Sequence, residues 1–121
     1  MLRVNHFTRS EFACKCGCGF DTVDMELINL CNDVREFEGA SVVVLSGCRC
    51  ELHNAAIGGA KHSQHKLARA ADLAVSDPWK TYQYVCNKYS NCYGFGLYDW
   101  GVHVDTRSGN PARWDYRTVK P

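Results

Sequence analysis

Two histidines and one carboxylate raise the question of chemistry in this chain. His65 lies in Ser63-Gln64-His65-Lys66-Leu67-Ala68-Arg69-Ala70-Ala71-Asp72, Asp72 follows it by seven residues, and His103 comes roughly thirty residues later in Gly101-Val102-His103-Val104-Asp105. Neutral imidazoles and an ionised carboxylate are good ligands for zinc, and three protein ligands leave the open coordination position that catalytic zinc requires. The expected chemistry is therefore metal-assisted hydrolysis, with a zinc ion on His65, Asp72 and His103.

Each residue also has a plainer role. A lone histidine on a strand is commonly a hydrogen-bonded core residue, and His65, in a polar loop, would by itself be exposed. Asp72 carries more weight because it sits in Ala70-Ala71-Asp72-Leu73-Ala74-Val75, where an unpaired carboxylate would be costly to bury. Pairing with loop amides is its alternative fate. Alternation along a strand puts Gly101, His103 and Asp105 on one face and Val102 and Val104 on the other, which suits a site on one side and a core on the other.

The elements that must position these residues can be read in outline. A short helical turn is expected near Ser10-Glu11-Phe12, followed by a Gly/Cys loop. Asp21 or Thr22 is expected to cap a helix of about four turns, because Val23, Leu27, Leu30, Cys31, Val34 and Phe37 recur at three- and four-residue spacing. Gly39 closes that helix. Ser41 to Ser46 reads as a buried β-branched strand, and residues 47–60, with Gly58-Gly59, as a loop. Ala70 to Val75 reads as a second strand. Asp77-Pro78 starts a helix running to about Tyr89. Tyr93–Tyr98 and Val102–Arg107 read as strands joined by a turn at Asp99 to Gly101, and Arg113–Tyr116 as a last short strand. The sum is an α+β fold, a small and largely antiparallel sheet with helices packed against it.

Composition narrows the function. The 121 residues, 45% of them hydrophobic, suit a single domain with its own core, taken as 1–121. With 14 Lys+Arg against 13 Asp+Glu and no block of like charge, neither a nucleic-acid track nor an anionic membrane surface is expected as partner. The first residues lack a signal-peptide pattern and no apolar run is long enough to insert in a membrane, so the expectation is a soluble monomer without a visible export signal. Eight cysteines form a separate question. Cys14, Cys16 and Cys18 could approach Cys48 and Cys50, as disulfides or as a thiolate metal site. The C-x-C spacing departs from the C-x-x-C of zinc knuckles and favours the former. Cys31 falls on the apolar helix face, and Cys86 and Cys92 could pair.

Taken together, Ser46-Gly47-Cys48-Arg49, His53-Asn54, Gly58-Gly59-Ala60, Ser63-Gln64-His65, Ala70-Ala71-Asp72, Gly94-Phe95-Gly96-Leu97-Tyr98 and Val102-His103-Val104-Asp105-Thr106-Arg107 resemble the zinc D-alanyl-D-alanine carboxypeptidases and related cell-wall endopeptidases. That group shares its fold with the hedgehog signalling domain. The likeness runs from about Phe12 to Trp114. It implies zinc on His65, Asp72 and His103, and as substrate the D-amino-acid-containing stem peptide of peptidoglycan, met at the bacterial cell wall by a bacterial or phage-encoded enzyme. It also implies that Arg49 holds a substrate carboxylate.

Two positions depart from the family pattern. Ala68 stands where a glycine is usual. Trp100 stands where several relatives carry the general base, three residues before the last histidine, which makes the adjacent Asp99 the expected base and leaves Asp105 as a partner for His103. Ser63 is expected to bind substrate or to cap the turn before His65, and His53 and His62 to be loop residues. The alternative to a peptidase is a zinc-containing binding module of the same fold that does not turn over.

Overall fold

A computed structural model describes residues 6–20, 24–60, 63–67 and 69–118. Its core is one five-stranded sheet built from β1 (Val43–Ser46), β2 (Ala70–Ala74), β3 (Gly94–Tyr98), β4 (Gly101–Asp105) and β5 (Ala112–Asp115), in the order β1-β2-β4-β3-β5. Every neighbouring pair is antiparallel except β3 and β5, which run parallel. Two longer helices, α1 (Met25–Glu38) and α3 (Pro78–Lys88), pack on the sheet, and a short α2 (Glu51–Ala56) follows β1. The α+β class and largely antiparallel sheet match the sequence expectation. Among the described residues no helix is long and apolar enough to cross a membrane.

The core lies between one face of the sheet and the helices. Leu27, Leu30, Cys31 and Val34 from α1 meet Ala71, Leu73, Val102, Val104, Phe95 and Leu97 from the strands and Val85 from α3. Each fully buried aliphatic side chain contributes roughly 1.5–3 kcal/mol relative to exposure, so this face anchors the strands whose other face carries the chemistry. The two helices are also joined through Asp33, which accepts from Tyr84 Oη at 2.7 Å and Tyr89 Oη at 2.5 Å and pairs with Lys88 Nζ at 2.7 Å.

Helix ends follow local rules with one change. Gly39, at φ 65°, takes the left-handed C-terminal position of α1, which glycine adopts without penalty. Asp77 accepts from Lys80 N to cap α3, with Pro78 in the first turn. The N-cap of α1 is Asp24 rather than Asp21 or Thr22. Those two and Val23 lie outside the described residues, and the Asp24 carboxylate accepts from Thr106 Oγ1 instead of from its own helix.

Three further expectations are corrected. The 41–46 run is not a buried strand. β1 is an edge strand in which Val44, like Val42 just before it, is buried while Val43 is 57% and Leu45 44% exposed, because among the described residues its outer face is left open. The 47–60 segment is not all loop, since α2 forms there with Cys50 as N-cap, its Sγ accepting from His53 N at 3.4 Å. Cys86 and Cys92 are unbridged thiols, as are the other six cysteines.

Candidate active site

The site face of the sheet follows from register. Asp72 on β2 is paired with His103 on β4, His103 with Gly96 on β3, and Gly96 with Trp114 on β5, while Ser46 on β1 lies opposite Asp72. One row across five strands thus reads Ser, Asp, His, Gly, Trp. Glycine at its fourth place is a steric requirement, because a Cβ on Gly96 would overlap the indole of Trp114 at Nε1. In the next row a Cβ on Gly94 would meet both Asp105 carboxylate oxygens at 2.5 Å. The absent side chains leave the space that the indole and the carboxylate fill.

His65 reaches this row from a 3-10 turn, Gln64–Leu67. It is buried, 2% exposed, contrary to the exposed fate expected for a loop histidine. Three bonds hold it: Nδ1–H donates to Gly47 O at 2.6 Å, its N–H donates to Ser63 Oγ at 3.2 Å, and its carbonyl accepts from Arg49 N at 2.9 Å. A carbonyl can only accept, so the lone pair of the ring is on Nε2, which faces Asp72 Oδ2 at 3.3 Å. On the other side His103 Nδ1 lies 2.9 Å from Asp72 Oδ1, and Nε2 lies 2.8 Å from Asp105 Oδ2. Asp105 in turn accepts from Arg107 Nε at 2.8 Å and Nη2 at 2.7 Å.

The charges in this chain of contacts are strongly coupled. Burial alone would raise the Asp72 carboxyl, but the His103 and His65 rings beside it outweigh that effect and hold Asp72 well below the usual carboxylate range. Burial of Asp105 is likewise outweighed by its bonds from Arg107 and His103. For His103, burial favours the neutral ring, yet the two flanking carboxylates, Asp105 and Asp72, raise its pKa.

One ligand atom from each of His65, Asp72 and His103 lies within 4.8 Å of the others. Ligands about 2.0–2.1 Å from a tetrahedral zinc ion lie roughly 3.3 Å apart, so the donor set fits such an ion in type and spacing. The second partners fit as well. Gly47 O leaves the lone pair of His65 on Nε2, and Asp105 can keep the proton of His103 on Nε2 and the lone pair on Nδ1, so these are the nitrogens that would be offered to an ion, the arrangement usual for metal-bound histidine.

These residues floor a cleft of about 530 Å³ lined also by Arg49, Ser63, Tyr98, Trp100, Arg107, Trp114 and Tyr116. Arg49 is braced by Ser46 Oγ at 3.1 Å, Asn54 Oδ1 at 3.2 Å and Asp72 Oδ2 at 3.2 Å. Asn54, 3% exposed, also donates to Ala60 O, which ties the Gly58-Gly59 turn to the guanidinium. Ser63 both lines the cleft and caps the turn of His65.

A match to the family model for peptidase M15 covers residues 5–105. The chain belongs to the peptidase M15 family. M15 peptidases are zinc-dependent, and the His/Asp/His group of this M15 domain is a possible metal-binding group of the kind that dependence needs. No curated protein and no solved structure matches the chain.

Of the residues singled out from sequence, the fold brings His65, Asp72, His103, Arg49 and Ser63 into one cleft. Asp99 is not among its lining residues. It sits on the β3–β4 turn, where its carboxylate accepts from Thr118 N at 3.2 Å and Thr118 Oγ1 at 2.7 Å, and the adjacent Trp100 lines the cleft instead. Ala68 and His62 lie outside the described residues. Sequence reasoning assigned no role to Tyr98, Arg107, Trp114 or Tyr116. The one available signal was the pair of glycines in β3, which mark where neighbouring side chains lie over the sheet.

Proposed function

We propose that this M15 domain is a zinc-dependent peptidase that hydrolyses D-amino-acid-containing peptide bonds of peptidoglycan, as a carboxypeptidase on the stem terminus or as an endopeptidase within it. The observation that carries the reading is the convergence of three donor atoms within 4.8 Å beside a braced guanidinium in one cleft. His65, Asp72 and His103 would hold the zinc ion, which when bound would lower the pKa of a water to about 7 and act as a Lewis acid toward the scissile carbonyl.

The chain's own groups account for the remaining requirements. Arg49 has five N–H donors, three of them engaged by Ser46, Asn54 and Asp72. The remaining donors of a fixed planar fork suit a substrate carboxylate. Tyr98 Oη accepts from Trp114 Nε1 at 2.9 Å. Burial raises its pKa, so it keeps its own proton, and that proton is available to an oxygen on which negative charge develops. Trp100, stacked on Tyr98 with centroids 4.7 Å apart, gives the cleft an apolar wall for the small side chains of the stem peptide.

A second reading, a zinc-containing module that binds the same peptide without cutting it, has one specific observation in its favour. Among the described lining residues the only carboxylate is Asp72, itself a proposed ligand, and Asp99 is engaged by Thr118. Digestion of purified peptidoglycan, with and without chelator and after zinc restoration, separates the readings by mass analysis of the products. Released D-alanine identifies a carboxypeptidase and shortened stems or cross-links an endopeptidase. Retention on peptidoglycan with no product identifies the module.

A further inference from the structure

We propose that Cys14, Cys16, Cys18 and Cys50 form a second, structural metal site that holds one zinc ion through four thiolates. The four sulfurs come from two chain segments more than thirty residues apart, and all lie within 4.8 Å of one another. Zn–S bonds of about 2.3 Å in a tetrahedron set sulfurs roughly 3.8 Å apart. The observed separations are 3.5 Å for Cys14–Cys16 and 3.6 Å for Cys16–Cys50. A disulfide needs about 2.05 Å, and it joins sulfurs in pairs. Here one sulfur, that of Cys16, is about equally near two others. Two of the three possible pairings would also require a bridge across a single intervening residue.

Two of the four sulfurs accept backbone N–H hydrogen bonds. Cys50 N donates to Cys14 Sγ at 3.4 Å and His53 N donates to Cys50 Sγ at 3.4 Å, bonds of the kind that support metal-bound thiolates. The neighbouring Cys48 behaves differently. Its S–H donates to Phe20 O at 2.9 Å, so it keeps its proton and falls outside the ligand set. The short C-x-C spacing, which weighed against metal in the sequence, is accommodated by the loop backbone. Gly17 at φ 80° and Gly19 at φ 91° turn the chain where a Cβ would meet nothing within 4 Å, so they serve conformation rather than space.

Residues 15–19 are exposed, and among the described residues the apolar cluster at the loop is small: Cys14, Cys48, Phe20 and Cys50. A bound ion would clasp the loop to the segment 47–50, whose Gly47 O and Arg49 N hold His65. This site is independent of the proposed peptidase chemistry, and its test does not depend on it.

The test is cobalt substitution of the intact chain under reducing conditions, read as the near-ultraviolet thiolate-to-cobalt charge-transfer absorption that a His/Asp/His site cannot produce. Strong absorption is expected in the unaltered chain, in Asp72→Asn and in Cys48→Ala. It should be lost, with one equivalent of bound metal, in the double variant Cys16→Ser/Cys18→Ser, whose two side chains are exposed and whose change removes no core. Absence of the absorption in the unaltered chain overturns the proposal. So does its survival in the double variant, or alkylation and mass analysis finding these four cysteines disulfide-bonded.

Discussion

Replacing Asp105 by asparagine changes almost nothing in shape and removes one charge from a fully buried position. In the native site one carboxylate accepts from both His103 Nε2 and Arg107. An asparagine has one oxygen and one NH₂ group, so it cannot accept on both sides. If its oxygen faces Arg107, its NH₂ faces His103 and forces the ring to carry its proton on Nδ1, the nitrogen that faces Asp72 and the proposed ion. If its oxygen faces His103, NH₂ faces guanidinium. Loss of such a partner to a ligand weakens metal binding by about 10- to 100-fold, equivalent to about 1.4–2.7 kcal/mol.

A stability cost is expected as well. Removing one member of a buried ion pair costs about 3–5 kcal/mol, but the Arg107 side chain is 27% exposed and regains water, so roughly 2–3 kcal/mol is expected. The assay is zinc competition with a chromogenic chelator, run beside His65→Ala so that any other bound metal is subtracted, together with thermal unfolding. Zinc affinity in Asp105→Asn within twofold of the unaltered chain would refute the assignment of Asp105 as the group that fixes the His103 tautomer.

Other changes test separate parts of the site. His65→Ala, Asp72→Ala and His103→Ala should each abolish metal binding at this site and all peptide hydrolysis, measured by metal content and product release. Asp99→Ala should keep metal and turnover, because its carboxylate serves Thr118; loss of turnover with metal retained would instead make it the base. Gly96→Ala should displace Trp114 and destabilise the fold by about 1–3 kcal/mol, read by chemical unfolding. For pH, the raised His103 pKa means that protons compete for the ligand nitrogen, so on acidification zinc affinity should begin to fall while the pH is still above the ordinary histidine value of about 6.5. In the metal-free site the sign reverses: the His103 ion pairs are fully present below that value and lost as pH rises through the raised pKa. The Asp72 and Asp105 contributions are fully present above the ordinary carboxylate value of 3.8 and are lost progressively as pH falls from there through their depressed values, and comparing pH–stability curves with and without zinc checks both signs.

Much of this was legible in the chain alone because it depends on local physics. Alternation in Gly101 to Asp105 put His103 and Asp105 on one side and two valines on the other, the faces found in β4. Asp77-Pro78 and Gly39 marked helix ends by backbone preference. The three residues that the fold brings within reach of one another, His65, Asp72 and His103, could be proposed together because residue type and order survive folding.

What only the tertiary structure decided are relations between strands distant in sequence. Register alone placed Trp114 over Gly96 and Asp105 over Gly94, and so made a cleft wall of residues with no motif of their own. Thr118, nineteen residues beyond Asp99, engages that carboxylate away from the cleft, and Gly47 O, eighteen residues before His65, orients a ring that looked like an exposed loop side chain. The cysteines show the same division. Their count and spacing were in the sequence, but which four sulfurs meet depends on a loop folding against the start of α2, and distances across folded segments are not written in local spacing.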